Sequence, residues 1–115
     1  MRFTGLVVSV LLLSVGCNKH QTLILGQAPN GEAQAINSLR KVDITPVVLS
    51  GVMIEKCPVA GCWFRLRDNT GTIKIDTRSA GFVVVKVPLN SKLMVSGKLI
   101  TNGDDIAIEA LGVRY

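Results

Sequence analysis

Histidine is almost missing from this chain of 115 residues: His20 is the only one. That excludes a multi-histidine metal site within one chain, and it leaves no Ser-His-Asp or Cys-His arrangement for nucleophilic catalysis. Aromatic residues are also scarce, at 4%, so one Trp, one Tyr and three Phe must serve any core. Charged residues reach only 18% while apolar ones make up 48%, which is too apolar for a disordered tail. With 13 Lys+Arg against 8 Asp+Glu the net charge is +5. That is mildly basic, short of the balance of a dedicated nucleic-acid protein. No glycine-rich phosphate loop appears. Asp104 and Asp105, as neighbours on a strand, would point to opposite sides and so make no acid/base pair. The expectation is a non-catalytic chain without a resident cofactor, of a length that holds one small domain.

The first residues do carry a pattern. Met1-Arg2 supplies a positive start, and residues 6–15 are an apolar run too short to span a bilayer, which needs about 20 residues. A break follows at Gly16-Cys17, as in an export signal. The segment Leu13-Ser14-Val15-Gly16-Cys17 resembles a bacterial lipobox, with Ser14 where the usual Leu would stand. The resemblance implies removal of residues 1–16, lipidation of Cys17, and a membrane partner reached through the lipid chains. A plain secretory signal and an uncleaved anchor are the alternatives. Asn18 stands where an Asp would mark retention in the inner membrane, which implies an outer-membrane location facing the periplasm.

Residues 17–41 are expected to form a tether with a short helix. In that helix Ala33, Ile36 and Leu39 recur three apart, and Asn30 is the candidate cap. From residue 42 onward the hydrophobic period is two. Strands are expected at 47–55, 63–67, 72–77, 93–100 and 106–113. Asp68-Asn69-Thr70-Gly71 and Asn102-Gly103 form the tight turns. Gly51 suggests a bulge or bend in the first strand. The connection that follows the third strand is too short for the helix that many five-stranded barrels place there. Five short strands in so small a chain favour a closed sheet, which removes exposed edges.

Thr45-Pro46-Val47-Val48-Leu49-Ser50-Gly51 and the run from Leu66 to Asp76 resemble the oligonucleotide/oligosaccharide-binding (OB) fold, in its exported bacterial versions. Cys57-Pro58-Val59-Ala60-Gly61-Cys62-Trp63, with Gly81-Phe82 and the ending Ile108 to Val113, resembles a narrower bacterial group carrying Cys-x4-Cys-Trp in this loop. The resemblance covers residues 42–115. It implies an all-β five-stranded OB-fold barrel, and it brings no catalytic residues with it.

Two features could carry chemistry. Cys57 and Cys62 flank the first connection, a loop that OB-folds often use for ligands. An exported pair could close as a disulfide. It could instead hold a soft metal such as copper or zinc, with Met53 or Met94 or a second copy completing the ligands. It could also exchange thiols, or stay inert; Cys-x4-Cys is not the Cys-x-x-Cys of thioredoxin-like exchangers. The second feature is a face. If Phe64 and Leu66 point inward, Trp63, Arg65, Arg67 and Lys74 share the outside. An aromatic among cations can hold an anionic or glycan-like ligand or an envelope protein. A plain solvated strand face would show the same alternation, and a purely structural envelope protein is a further option. The export signal argues against DNA or RNA as the natural ligand.

Overall fold

The computed structural model describes residues 22–40 and 46–115. The apolar leader, Cys17 and His20 lie outside the described residues. The chain runs β1 (Ile24–Gly26), a 3-10 turn (Ile36–Ser38), β2 (Val47–Lys56), β3 (Trp63–Arg67), β4 (Thr72–Asp76), β5 (Lys92–Asn102) and β6 (Asp105–Arg114).

Period-two patterning decides which way each strand faces. Phe64 and Leu66 on β3 are fully buried, whereas Arg65 and Arg67 are exposed. Ile73 and Ile75 do the same on β4. β2 pairs antiparallel with β5 over its first half and with β3 over its second. β3 pairs with β4, and β5 with β6, both antiparallel. A short parallel contact, Ile75 opposite Ile108 and Asp76 opposite Glu109, joins β4 to β6. The five strands β2 to β6 thus close into a barrel, as the sequence predicts, around Leu49, Met53, Phe64, Leu66, Ile75, Val95, Ile108 and Val113.

Three sequence expectations need correction in detail. The irregularity in β2 falls between Met53 and Glu55, not at Gly51. Gly51 pairs regularly with Leu93, and its lack of a side chain serves a close approach, since a Cβ there would lie 2.4 Å from the Arg67 carbonyl oxygen. The stretch expected to be tether contributes a strand: Ile24, Leu25 and Gly26 pair with Arg114, Val113 and Gly112. Leu23 and Tyr115 add a reciprocal pair of backbone hydrogen bonds at 2.7 and 2.9 Å. The expected helix is a single 3-10 turn that Asn30 does not cap; its first two N–H groups, of Ile36 and Asn37, donate instead to Asp68 Oδ2 and Thr70 Oγ1 of the β3–β4 turn. Gln34 is held instead by a parallel bridge to Leu49, which fixes the backbone as extended just before the turn. Ile36 and Leu39 still enter the core, because three-residue spacing suits a 3-10 turn as well as an α-helix.

Asp68 fastens that turn to the barrel. Its Oδ1 accepts from Thr70 N–H at 2.7 Å, Thr70 Oγ1 at 2.6 Å and Gly71 N–H at 3.0 Å. Its Oδ2 accepts from Ile36 N–H at 2.9 Å. One carboxylate therefore shapes the β3–β4 hairpin and anchors a segment 32 residues away. The β4–β5 connection carries no helix. Val84 and Val87 drop from it into the barrel as a plug, and Val83 and Val85 stay about half exposed.

Candidate functional site

Strand register builds the outer face row by row. Glu55, Arg65 and Lys74 stand in one row across β2, β3 and β4. Trp63 stands opposite Asp76, and Arg67 opposite Thr72. Over the Trp63 ring lie the Lys74 ammonium, 5.5 Å from the centroid, and the Arg65 guanidinium at 5.8 Å. Each such contact is worth about 0.5–1 kcal/mol at an exposed position. Trp63 is half-buried, with its indole on the outer wall rather than in the core.

The four residues singled out by sequence therefore do share one face. Trp63, Arg65 and Lys74 form a tight group, and Arg67 stands one row further along the same strand. Three charges that sequence reasoning missed complete the picture. Glu55 Oε1 accepts from Arg65 Nε at 3.0 Å. Asp76 is gripped by Arg78 through Nε at 3.1 and 3.2 Å and through Nη2 at 2.6 Å. The Arg78 hydrogen bonds outweigh the penalty of burial and hold the Asp76 carboxyl below the usual carboxylate range. Counting pairs outward from the Asp68–Gly71 turn would have placed Lys74 beside Arg65. Glu55 could not be found that way, because the bulge in β2 shifts its register.

Both carboxylates on the face are thus engaged by arginines. Among the described residues Arg67 and Lys74 have no ion-pair partner within 4 Å. A groove of about 660 Å³ opens beside Arg65 and Lys74. Its far wall is the start of β6, Asp105 to Ala107, and Ile36 and Leu39 of the turn region complete it. The face offers a ring, two cations outside any close ion pair among the described residues, and an adjoining half-apolar cleft.

At the rim, the Cys57–Cys62 loop is hooked onto the barrel at both ends. Cys57 N–H donates to the Trp63 carbonyl at 2.9 Å, and Thr77 N–H donates to the Cys62 carbonyl at 2.9 Å. Both cysteines are thiols and partly exposed. The Cys62 thiol donates to the Cys57 sulfur across 3.3 Å. Backbone N–H groups of Ala60 and Cys62, the Cys62 thiol and the N–H of Val59 lower the Cys57 pKa to about 6. The same thiol contact, in which Cys62 is the donor, raises the pKa of Cys62. Of the other suggested sulfurs, Met53 is a core side chain and Met94 accepts from Arg114. No group of three or more His, Cys, Asp or Glu among the described residues is placed to hold a metal ion.

The closed five-stranded barrel with its bulged β2 is OB-fold-like. The solved structures include a likeness: the hypothetical protein ygiW from E. coli, at a TM-score of 0.52 and 22% identity, over 71% of this chain and 87% of that chain. That likeness is one of fold. No family model and no curated protein matches the sequence.

Proposed function

We propose that this OB-fold-like barrel is a non-catalytic binding protein of the cell envelope. It is held through a lipid on Cys17 at the outer membrane, facing the periplasm, and recognises an anionic or glycan-like ligand. The observation that carries the reading is Trp63 on the outer wall with the Lys74 ammonium and the Arg65 guanidinium over its ring, Lys74 having no carboxylate within 4 Å among the described residues, beside the groove that Arg65 and Lys74 line. Stacking on a ring is tolerant of ligand detail, and cations add attraction for acidic groups. An envelope protein with an acidic surface would engage the same residues.

The test is retention of acidic and neutral oligosaccharides on immobilised protein. Acidic members should be retained by the native chain. Trp63→Ala combined with Arg65→Ala should lose that retention while circular dichroism stays unchanged. Equal retention by variant and native protein would remove the face from consideration.

Trp63 is the only tryptophan in the chain, so its emission reports this face alone. Iodide should quench it with a higher Stern–Volmer constant than caesium at equal ionic strength, because cations concentrate anions locally. Replacing Arg67 and Lys74 with Gln should bring the two constants together. A native chain already quenched equally by both ions would show that the face does not attract anions.

A further inference from the structure

The cysteine loop has a chemistry that the binding reading does not use. Its back is locked. Gly61 sits at φ +64°, where a Cβ would lie 2.6 Å from the Val85 backbone nitrogen. Its carbonyl accepts from Val84 N–H at 3.0 Å and from the buried Thr77 hydroxyl at 3.2 Å. Its front is open: Val59 at the tip is 87% exposed, and both cysteines are partly exposed. The sulfurs are 3.3 Å apart, so closure to a bond of about 2.05 Å requires a small approach rather than a refolded loop.

We propose that Cys57 and Cys62 form a dithiol–disulfide exchange site, in which the Cys57 sulfur attacks an incoming disulfide and Cys62 resolves the product. The Cys57 thiolate attacks one sulfur of a disulfide R–S–S–R′, the S–S bond of that substrate breaks, and R′–S⁻ leaves. The Cys62 thiol gives its proton to the departed thiolate and attacks the Cys57 sulfur, and R–S⁻ leaves. Two electrons pass from the protein dithiol to the substrate, R–S⁻ takes up from water the proton that Cys57 had released, and the products are two thiols and one Cys57–Cys62 bond.

The loop makes the two sulfurs unequal. The N–H of Ala60 acts most strongly on Cys57, followed by those of Cys62 and Val59 and the Cys62 thiol. Arg78, ion-paired with Asp76, acts through its charge on Cys62, and the ammonium of Lys56 is held by the Val85 and Val87 carbonyls. Neither is a base for Cys57, so the backbone of the loop itself selects the attacking sulfur.

The experiment uses the full chain with Cys17→Ser, so that only the loop sulfurs react, reduced beforehand with dithiothreitol. Oxidised glutathione is the probe. The Cys62→Ser variant should form a mixed disulfide at pH 6.5 about tenfold faster than Cys57→Ser. Against an ordinary thiol at 9.0, a thiol at about 6 has a roughly 200-fold larger thiolate fraction at pH 6.5, which its lower nucleophilicity reduces about 20-fold. With both cysteines present, the product should be lighter by two hydrogens, carry no glutathione, and map by peptide mass to Cys57–Cys62. In that same undisturbed loop, iodoacetamide at pH 6.5 should label Cys57 before Cys62, which keeps the test independent of how the serine variants fold. Equal rates in the two variants, labelling in the opposite order, glutathione retained on either sulfur, or a loop bond that dithiothreitol cannot open would each overturn the proposal.

Discussion

Phe64→Ala should destabilise the barrel by about 3–5 kcal/mol, the usual range for a fully buried ring. For a domain of this size that lowers Tm by on the order of 20 °C. Among the described residues Phe64 is the largest side chain with no exposed surface, and it sits on β3 between β2 and β4. Truncation leaves a void against Leu66, Ile75 and other core members that cannot all collapse into it. The neighbouring Trp63→Ala should cost about 1 kcal/mol or less, because that ring lies on the outer wall and gives up two exposed cation contacts. Differential scanning calorimetry of the two variants reads the alternation directly. Comparable losses of Tm would mean that Trp63, too, belongs to the core.

The second large effect lies at Asp68. Asp68→Ala removes four hydrogen bonds to one carboxylate and frees the segment around Ile36, at a cost of about 2–4 kcal/mol. Burial pushes the Asp68 carboxyl up. The Thr70 hydroxyl and the N–H groups of Ile36, Thr70 and Gly71 together outweigh it and leave the pKa below the ordinary 3.8. A folded-state pKa below the unfolded one means stability that is fully present above the unfolded value. That stability is lost as pH falls through the folded value. Denaturant midpoints of the native chain should therefore drop below about pH 4, and those of Asp68→Ala should drop less steeply. Some slope should survive in the variant, since Asp76 is lowered in the same sense by Arg78. Parallel pH profiles would show that Asp68 contributes nothing through its charge.

The barrel was legible because a half-buried strand writes its orientation every second residue. Phe64 and Leu66 against Arg65 and Arg67 needed no coordinates. Ile24–Gly26 carries no such signature. Three residues give no period, and their partners Gly112 to Arg114 lie at the other end of the sequence. Asp68 was visible as a turn residue through its bonds to Thr70 and Gly71. Its hold on Ile36 was not, because nothing local to either residue encodes a contact across 32 positions. The β2 bulge shows a different limit. Glycine marked Gly51 as unusual, but the reason was a close neighbouring backbone, and the inserted residue lay further along. On the face, the aromatic and the cations were readable, while the carboxylates that partner two of the arginines depend on register. In the loop, spacing could leave several fates open for two cysteines, but only the fold shows the sulfurs 3.3 Å apart.

β1 also governs how the molecule bears load. Any pull applied upstream of residue 22 reaches the barrel through the Leu23–Tyr115 rung first, then passes along Ile24–Gly26 one rung at a time. Pulled across its length rather than along it, such a ribbon opens like a zip. It acts as a fuse that yields before the cylinder and its ring-bearing wall are deformed.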